Sequence, residues 1–175
     1  MTKFVNPGDI IAQLNLKKGQ VVADFGCGAG FYSLAAAQFV ADDGMVYAVD
    51  IMPDRLAVTQ SSAQHAKLKN ITVVQADLEQ PLLGVEPASC DVVVISNILH
   101  QATAKEALLR NAYRILKTGG QLLAVEWKRG FSPFGPEQDV RVGPEELTNM
   151  MLRSGFRFVK DLEADGYHYA VVFGK

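Results

Sequence analysis

Cysteine is scarce in this chain. Among 175 residues there are two, Cys27 and Cys90, with no partner at metal-ligand spacing. That argues against a disulfide framework and against a metal site, and it fits a reducing, cytoplasmic setting. Long apolar runs are missing as well: none approaches the ~18 residues of a membrane span. The opening Met1-Thr2-Lys3-Phe4-Val5-Asn6-Pro7 lacks the apolar stretch of a secretory leader. There is no excess of one charge. Seventeen Lys and Arg stand against nineteen Asp and Glu, a net charge of −2, and the basic residues are spread out rather than grouped. Such a pattern makes no electrostatic footprint for nucleic acid. Repeats, linkers and low-complexity segments are absent too. What is present is a chain 49% hydrophobic, enough for one domain over residues 1–175 with a sizeable core.

Strand-like and helical patterns alternate along it. Runs rich in Val, Ile and Leu occur at Gln20 to Phe25, Met45 to Val49, Thr72 to Gln75, Asp91 to Ser96 and Gln121 to Glu126. They are short and almost continuously apolar, as strands buried on both faces of a parallel sheet are. Helical stretches separate them: Phe31 to Val40, Pro53 to Leu68, and Thr103 to Lys117, whose stripe of Leu108, Leu109, Ala112, Ile115 and Leu116 ends at a Lys117-Thr118-Gly119-Gly120 stop. A shorter helix is expected from Pro7 to Leu14 and another from Pro144 to Ser154. Two last strands, Arg157 to Leu162 and His168 to Phe173, flank a hairpin signal at Ala164-Asp165-Gly166. The order predicts an α/β, three-layer, doubly wound, Rossmann-like sheet, mostly parallel and finished by an antiparallel pair, with its ligand at the carboxyl ends of the strands.

Those ends carry the chemistry. The first strand runs through Asp24 into Gly26-Cys27-Gly28-Ala29-Gly30 and then a helix. Glycines at that spacing let the backbone turn sharply and approach a ligand. Asp50 closes the second strand, Asp77 the third, Asn97 the fourth and Glu126 the fifth. Asp50 is placed either to accept from both ribose hydroxyls or to cap the helix that follows. Asp77 and the Leu78 amide suit the edge of an adenine, with Ile51, Met52 and Leu78 around the purine. A dinucleotide would want G-x-G-x-x-G with a pyrophosphate on the helix N-terminus; here the third glycine comes one residue early and Phe31 takes its place. Asp24, with no Lys or Arg near it in sequence, suits a cationic ammonium and sulfonium better than a pyrophosphate. No Gly-Lys-Ser/Thr follows, so a Walker loop is excluded.

Taken together these segments resemble the class I S-adenosylmethionine-dependent methyltransferases over almost the whole chain. Val22 to Gly30 is similar to that family's first motif, Val46 to Asp50 to its second, Gln75 to Leu78 to its third, Cys90 to Asn97 to its fourth, and Arg114 to Leu122 to the stretch before its fifth strand. The closest flavour is the small group related to quinone-biosynthesis and arsenite methyltransferases, although the cysteine set of the arsenite enzymes is absent. The resemblance implies seven strands with the last inserted antiparallel, S-adenosylmethionine as methyl donor and S-adenosylhomocysteine as product, with no metal. It implies a cofactor site of Asp24, Gly26, Cys27, Gly28, Gly30, Tyr32, Asp50, Ile51, Met52, Asp77, Leu78 and Asn97.

On the acceptor side the candidates are Asn97, His100 and Glu126 for catalysis, and Trp127, Lys128 and Arg141 for the substrate. His100 is either a base for a hydroxyl or amine, or a wall or capping residue. Asn97 either orients substrate or caps backbone, and Glu126 suits a cationic group. Trp127 either stacks on a planar acceptor or covers core; Tyr32 either shapes the methionine pocket or faces the core. His65 and His168 read as surface or sheet-packing residues. The cover must come from residues 1–19, with Phe4 and the first helix, and from Lys128 to Gly143. So short a cover leaves room for a bulky acceptor such as a protein side chain, or for a small one closed in by a partner subunit, so the chain is expected to be a monomer or a homodimer. A cofactor-binding module without catalysis and a nicotinamide-dependent oxidoreductase are the competing functions.

Overall fold

A computed structural model describes residues 5–130 and 132–175. In chain order the elements are α1 (Pro7–Ala12), β1 (Val21–Phe25), α2 (Phe31–Val40), β2 (Met45–Asp50), α3 (Pro53–His65), β3 (Ile71–Gln75), β4 (Cys90–Ser96), α4 (Lys105–Ile115), β5 (Leu116–Trp127), α5 (Pro144–Arg153), β6 (Arg157–Leu162) and β7 (His168–Gly174). The seven strands form one sheet in the order β3-β2-β1-β4-β5-β7-β6. The first five are mutually parallel, and β7 is antiparallel to both of its neighbours. The expected fold class and the inserted last strand are therefore found.

The near-continuous apolar character of the strands has its cause in two cores, one on each face. Successive residues of β1, β4 and β5 alternate between them. Phe25, Val93, Ile95, Leu122 and Ala124 pack with Leu109, Ile115, Leu147 and Met151 of α4 and α5. Val22, Val92, Val94, Leu123 and Val125 pack with Ile10, Ile11, Ala36 and Val40 of α1 and α2.

Several boundaries differ from expectation. The α4 helix stops at Ile115, and β5 begins at once with Leu116, so Lys117-Thr118-Gly119-Gly120 lies inside a strand rather than ending a helix. Two carbonyls of the last helical turn, those of Arg114 and Ile115, accept from Ala88 and Ser89. The entry of the chain ahead of β4 thus satisfies them, and no glycine cap is needed. Helix α3 ends at His65, three residues early, because Lys67 takes a left-handed φ of 57°. Helix α1 ends at Ala12 rather than Leu14. Phe4 lies outside the described residues.

Candidate functional site

Strand order reverses between β1 and β4, and the chain segments leaving these two strands part there. In an open α/β sheet that is where a crevice forms. Two cavities of about 410 and 400 Å³ occupy it, and both are lined by Gly26, Gly28, Ser96 and Asn97. They are the two ends of one crevice.

Its floor is the glycine loop. Gly26 and Gly30 are fixed by packing: a Cβ on the first would meet Ile98 at 2.4 Å, and one on the second Thr59 at 2.7 Å. Nothing closer than 4.0 Å faces Gly28, whose bare α-carbon leaves the space free for a ligand. Four of the five loop amides are already taken. Gly26 and Cys27 donate to the Val49 carbonyl, Gly30 to Cys27, and Gly28 to Asp50 Oδ2 at 2.9 Å. A pyrophosphate is bound by free amides at such a turn, so this loop is poorly made for one. Cys27 is buried, and burial followed by the Asp24 charge pushes its thiol up to about 12. It is an inert wall residue.

One end of the crevice carries Asp50 and Asp77. Asp50 bridges the loop and the next helix: Oδ2 accepts from Gly28, and Oδ1 accepts from the Met52 amide at 2.9 Å. It braces the amide of Met52, the residue ahead of α3, rather than capping that helix, whose first turn has no side-chain cap bond. Each oxygen still has a second lone pair for a ligand. Ile51 and Met52 are half exposed beside it. Asp77 lines the same end and accepts from the Glu79 amide, while Leu78 is buried. The sequence did not show what holds this loop. Buried Asn111 of α4 donates to the Leu78 and Gln80 carbonyls and accepts from the Leu82 amide. Glu79 caps the approach to α4 through the Thr103 and Ala104 amides. Asn111 was hidden because it sits on an otherwise apolar helical face.

The other end is lined by Val5, Pro7, Asp24, Phe31 and Tyr32. Asp24 is only 2% exposed and accepts from Ser33 Oγ at 2.6 Å. Burial raises its pKa from 3.8 to about 6, against the Ser33 hydrogen bonds and with the help of the Asp50 charge. A buried acid so disposed favours a cation. Ser33 was missed as its partner, although it lies in the same motif. Burial also pushes the Tyr32 hydroxyl up to about 12; it lies beside Ser96. Asn97 stands between the two ends with φ 55°, and its buried Oδ1 has no partner among the described residues. Strained residues with unmet polar atoms gather at ligand sites.

On the acceptor side, Glu126 is fully buried. Its Oε1 accepts from the Leu99 amide at 2.8 Å, and its Oε2 lies 3.1 Å from His100 Nδ1. The structure brings these two candidates together. It separates the other three from the crevice. Arg141 is 3% exposed, and its guanidinium donates to the carbonyls of Pro136, Lys128, Gly130 and Phe134. It organises the segment after β5, with four of its five N–H groups bound to backbone carbonyls. Lys128 Nζ donates to the Asp165 carbonyl. Trp127 has the His168 ring 4.0 Å away, with Arg141 5.7 Å from its ring and Gly135 also against it, so it covers core and does not offer a stacking face. His168 is a sheet-packing residue as expected, with Asp165 on its Nδ1.

The fold and this crevice define a Rossmann-like domain for a nucleoside-bearing cofactor. A family model described as a methyltransferase domain matches residues 16–146. The chain belongs to the class I S-adenosylmethionine-dependent methyltransferases. It is 30% identical to an arsenite methyltransferase of Halobacterium salinarum, over 83% of this chain and 36% of that one. It is 35% identical to a ubiquinone/menaquinone biosynthesis C-methyltransferase of Haemophilus ducreyi, over 65% and 44% respectively. The chain thus spans less than half the length of these curated relatives. A crystal structure of an S-adenosylmethionine-dependent methyltransferase from Aquifex aeolicus superimposes with a TM-score of 0.89 at 22% identity, covering 97% of this chain and 89% of that one. None of the helices among the described residues is long and apolar enough to cross a membrane.

Proposed function

We propose that this chain moves a methyl group from S-adenosylmethionine to a small-molecule or protein side-chain acceptor by in-line displacement. The observation that carries the reading is the pairing of occupied loop amides with acids at both ends of the crevice. A dinucleotide's phosphates would meet carboxylates and find no free amides on Gly26, Cys27, Gly28 or Gly30. A ribose and a cationic amino acid meet what they need.

In this reading Asp50 holds the ribose hydroxyls, Asp77 and Leu78 address the adenine edge, and Ile51 and Met52 cover its faces. Gly28 lets the chain of the cofactor pass close to the backbone. Asp24 balances the α-ammonium, and Tyr32 closes the methionine end beneath Val5 and Pro7. The bound cofactor supplies an electrophilic methyl on a positively charged sulfur. The protein's part is alignment, and Asn97, at the junction of the two ends, is placed for it. The described residues before β1 supply the cover, with Val5 and Pro7 lining the crevice.

Titration calorimetry tests this directly. Binding of S-adenosylmethionine and S-adenosylhomocysteine with no heat from NAD is expected; tight NAD binding would end the proposal. Formation of S-adenosylhomocysteine in the presence of small-molecule extract separates an enzyme from a module that only binds.

A further inference from the structure

Two carboxylate–imidazole pairs flank the end of β5, and they are not equivalent. In one, Asp165 accepts from the amides of Val5, Tyr167 and His168 as well as from His168 Nδ1. The His168 ring is covered by Trp127, and its Nε2 is enclosed. In the other, Glu126 accepts from one amide and from His100 Nδ1. A carboxylate can only accept, so in the neutral ring Nδ1 carries the proton and Nε2 is left as a bare lone pair. The His100 side chain is 8% exposed. It lies on the turn whose Asn97, Ile98, Gln101 and Ala102 line the crevice, and among the described residues nothing bonds its Nε2. The Tyr169 hydroxyl from β7, the nearest competitor for the carboxylate, donates to the Val142 carbonyl instead. Beyond it lies the Arg129–Glu146 ion pair, which joins the segment after β5 to α5.

We propose that His100 is a general base for an acceptor bearing an ionisable hydroxyl, a phenol or an enol, and that Glu126 is its positioning residue. The assignment rests on the methyl-transfer reading above. The chemistry selects the acceptor class. A neutral amine or a thioether has a lone pair ready and needs no base before attack. A hydroxyl oxygen is a weak nucleophile until its proton is drawn away. In the step, the acceptor O–H proton passes to His100 Nε2. The electron pair so released, on oxygen or on the conjugated carbon, bonds to the methyl carbon. The carbon–sulfur bond breaks with its electrons going to sulfur. Glu126 stabilises the imidazolium, which later loses its proton to water.

The test begins without an acceptor. Nitrogen–proton correlation spectra of the labelled full chain with S-adenosylhomocysteine should show His100 protonated at Nδ1 and bare at Nε2; a proton on Nε2 overturns the proposal. Glu126→Gln keeps an oxygen for the Leu99 amide but donates to His100 Nδ1, so the ring proton should move to Nε2. With carbon-labelled S-adenosylmethionine and small-molecule extract, the shift of the transferred methyl should report O-methyl or a carbon beside a ring hydroxyl. Label only on nitrogen, sulfur or protein overturns it. On the acceptor so found, Glu126→Gln and His100→Gln should each lose about 10²–10⁴-fold in kcat, with the loss shrinking as pH rises and the acceptor ionises unaided. A pH-independent loss, or none, overturns it. Failure of the wild-type chain to bind S-adenosylmethionine would instead overturn the methyl-transfer reading itself.

Discussion

The hairpin corner around Asp165 and the turn around His100 use the same two functional groups to opposite ends. At Asp165 each carboxylate oxygen is occupied, and the imidazole is sealed under an indole. The pair joins three parts of the chain: the segment ahead of α1 through the Val5 amide, the β6–β7 connection, and β7. Burial works against its ionisation, but the amides of Tyr167 and His168 and the His168 ring outweigh this and hold the Asp165 carboxyl below its usual range. At Glu126 there are fewer bonds, and the His100 Nε2 is not enclosed as the His168 Nε2 is. A carboxylate saturated with amides fastens a fold, whereas the Glu126 pair leaves an open ring nitrogen. Gln13 extends the fastening, since its side chain both donates to the Glu163 carbonyl and accepts from the Glu163 amide.

Four measurements would break or sharpen this contrast, the largest effect first. Asp165→Ala leaves three amides and an imidazole without their acceptor. It should cost about 3 kcal/mol or more in urea unfolding; an unchanged midpoint would remove the fastening role. Asp24→Asn sets a third buried acid beside the two pairs. Its carboxyl rises from 3.8 unfolded to about 6 folded, so folding disfavours the ionised form. That penalty is full above pH 6 and gone below about pH 4. The variant should therefore be more stable than wild type at pH 8, by up to ~3 kcal/mol, and equal to it near pH 3.5. It should also lose affinity for the cationic cofactor, and wild-type affinity should fall as pH drops through about 6. A variant less stable at pH 8 would contradict the burial argument. Asp50→Ala should weaken S-adenosylmethionine binding about ten- to a hundredfold, ~1.4–2.8 kcal/mol, by calorimetry; unchanged affinity would remove the ribose assignment. His100→Gln should change that affinity by less than about threefold, ~0.7 kcal/mol, because in the proposed reaction the ring faces the acceptor. A large loss would move His100 into the nucleoside pocket.

Most of the architecture was legible because continuous apolar runs and amphipathic stripes are local signals. So was the glycine loop, where a few adjacent residues must meet one backbone requirement. Other features were not local. Whether Asn111 faces solvent or ties a loop depends on a helix meeting a strand connection some thirty residues away in sequence. Whether Arg141 meets a substrate or its own chain depends on how residues 128–141 curl, and four carbonyls decide it. The glycine pair at 119 and 120 looked like a helix stop, yet it falls in an irregularity between the β4 pairings of Leu116 and Gln121 and exchanges hydrogen bonds with Lys175.

By itself, then, the sequence determined the layered sheet, the crevice at the strand ends and the acids that face it, since each follows from the period and the end of a single element. Only the tertiary structure decided which histidine has its Nε2 enclosed and which does not. That difference depends on which side chains from other elements come to lie against each ring, and no spacing along one segment records it.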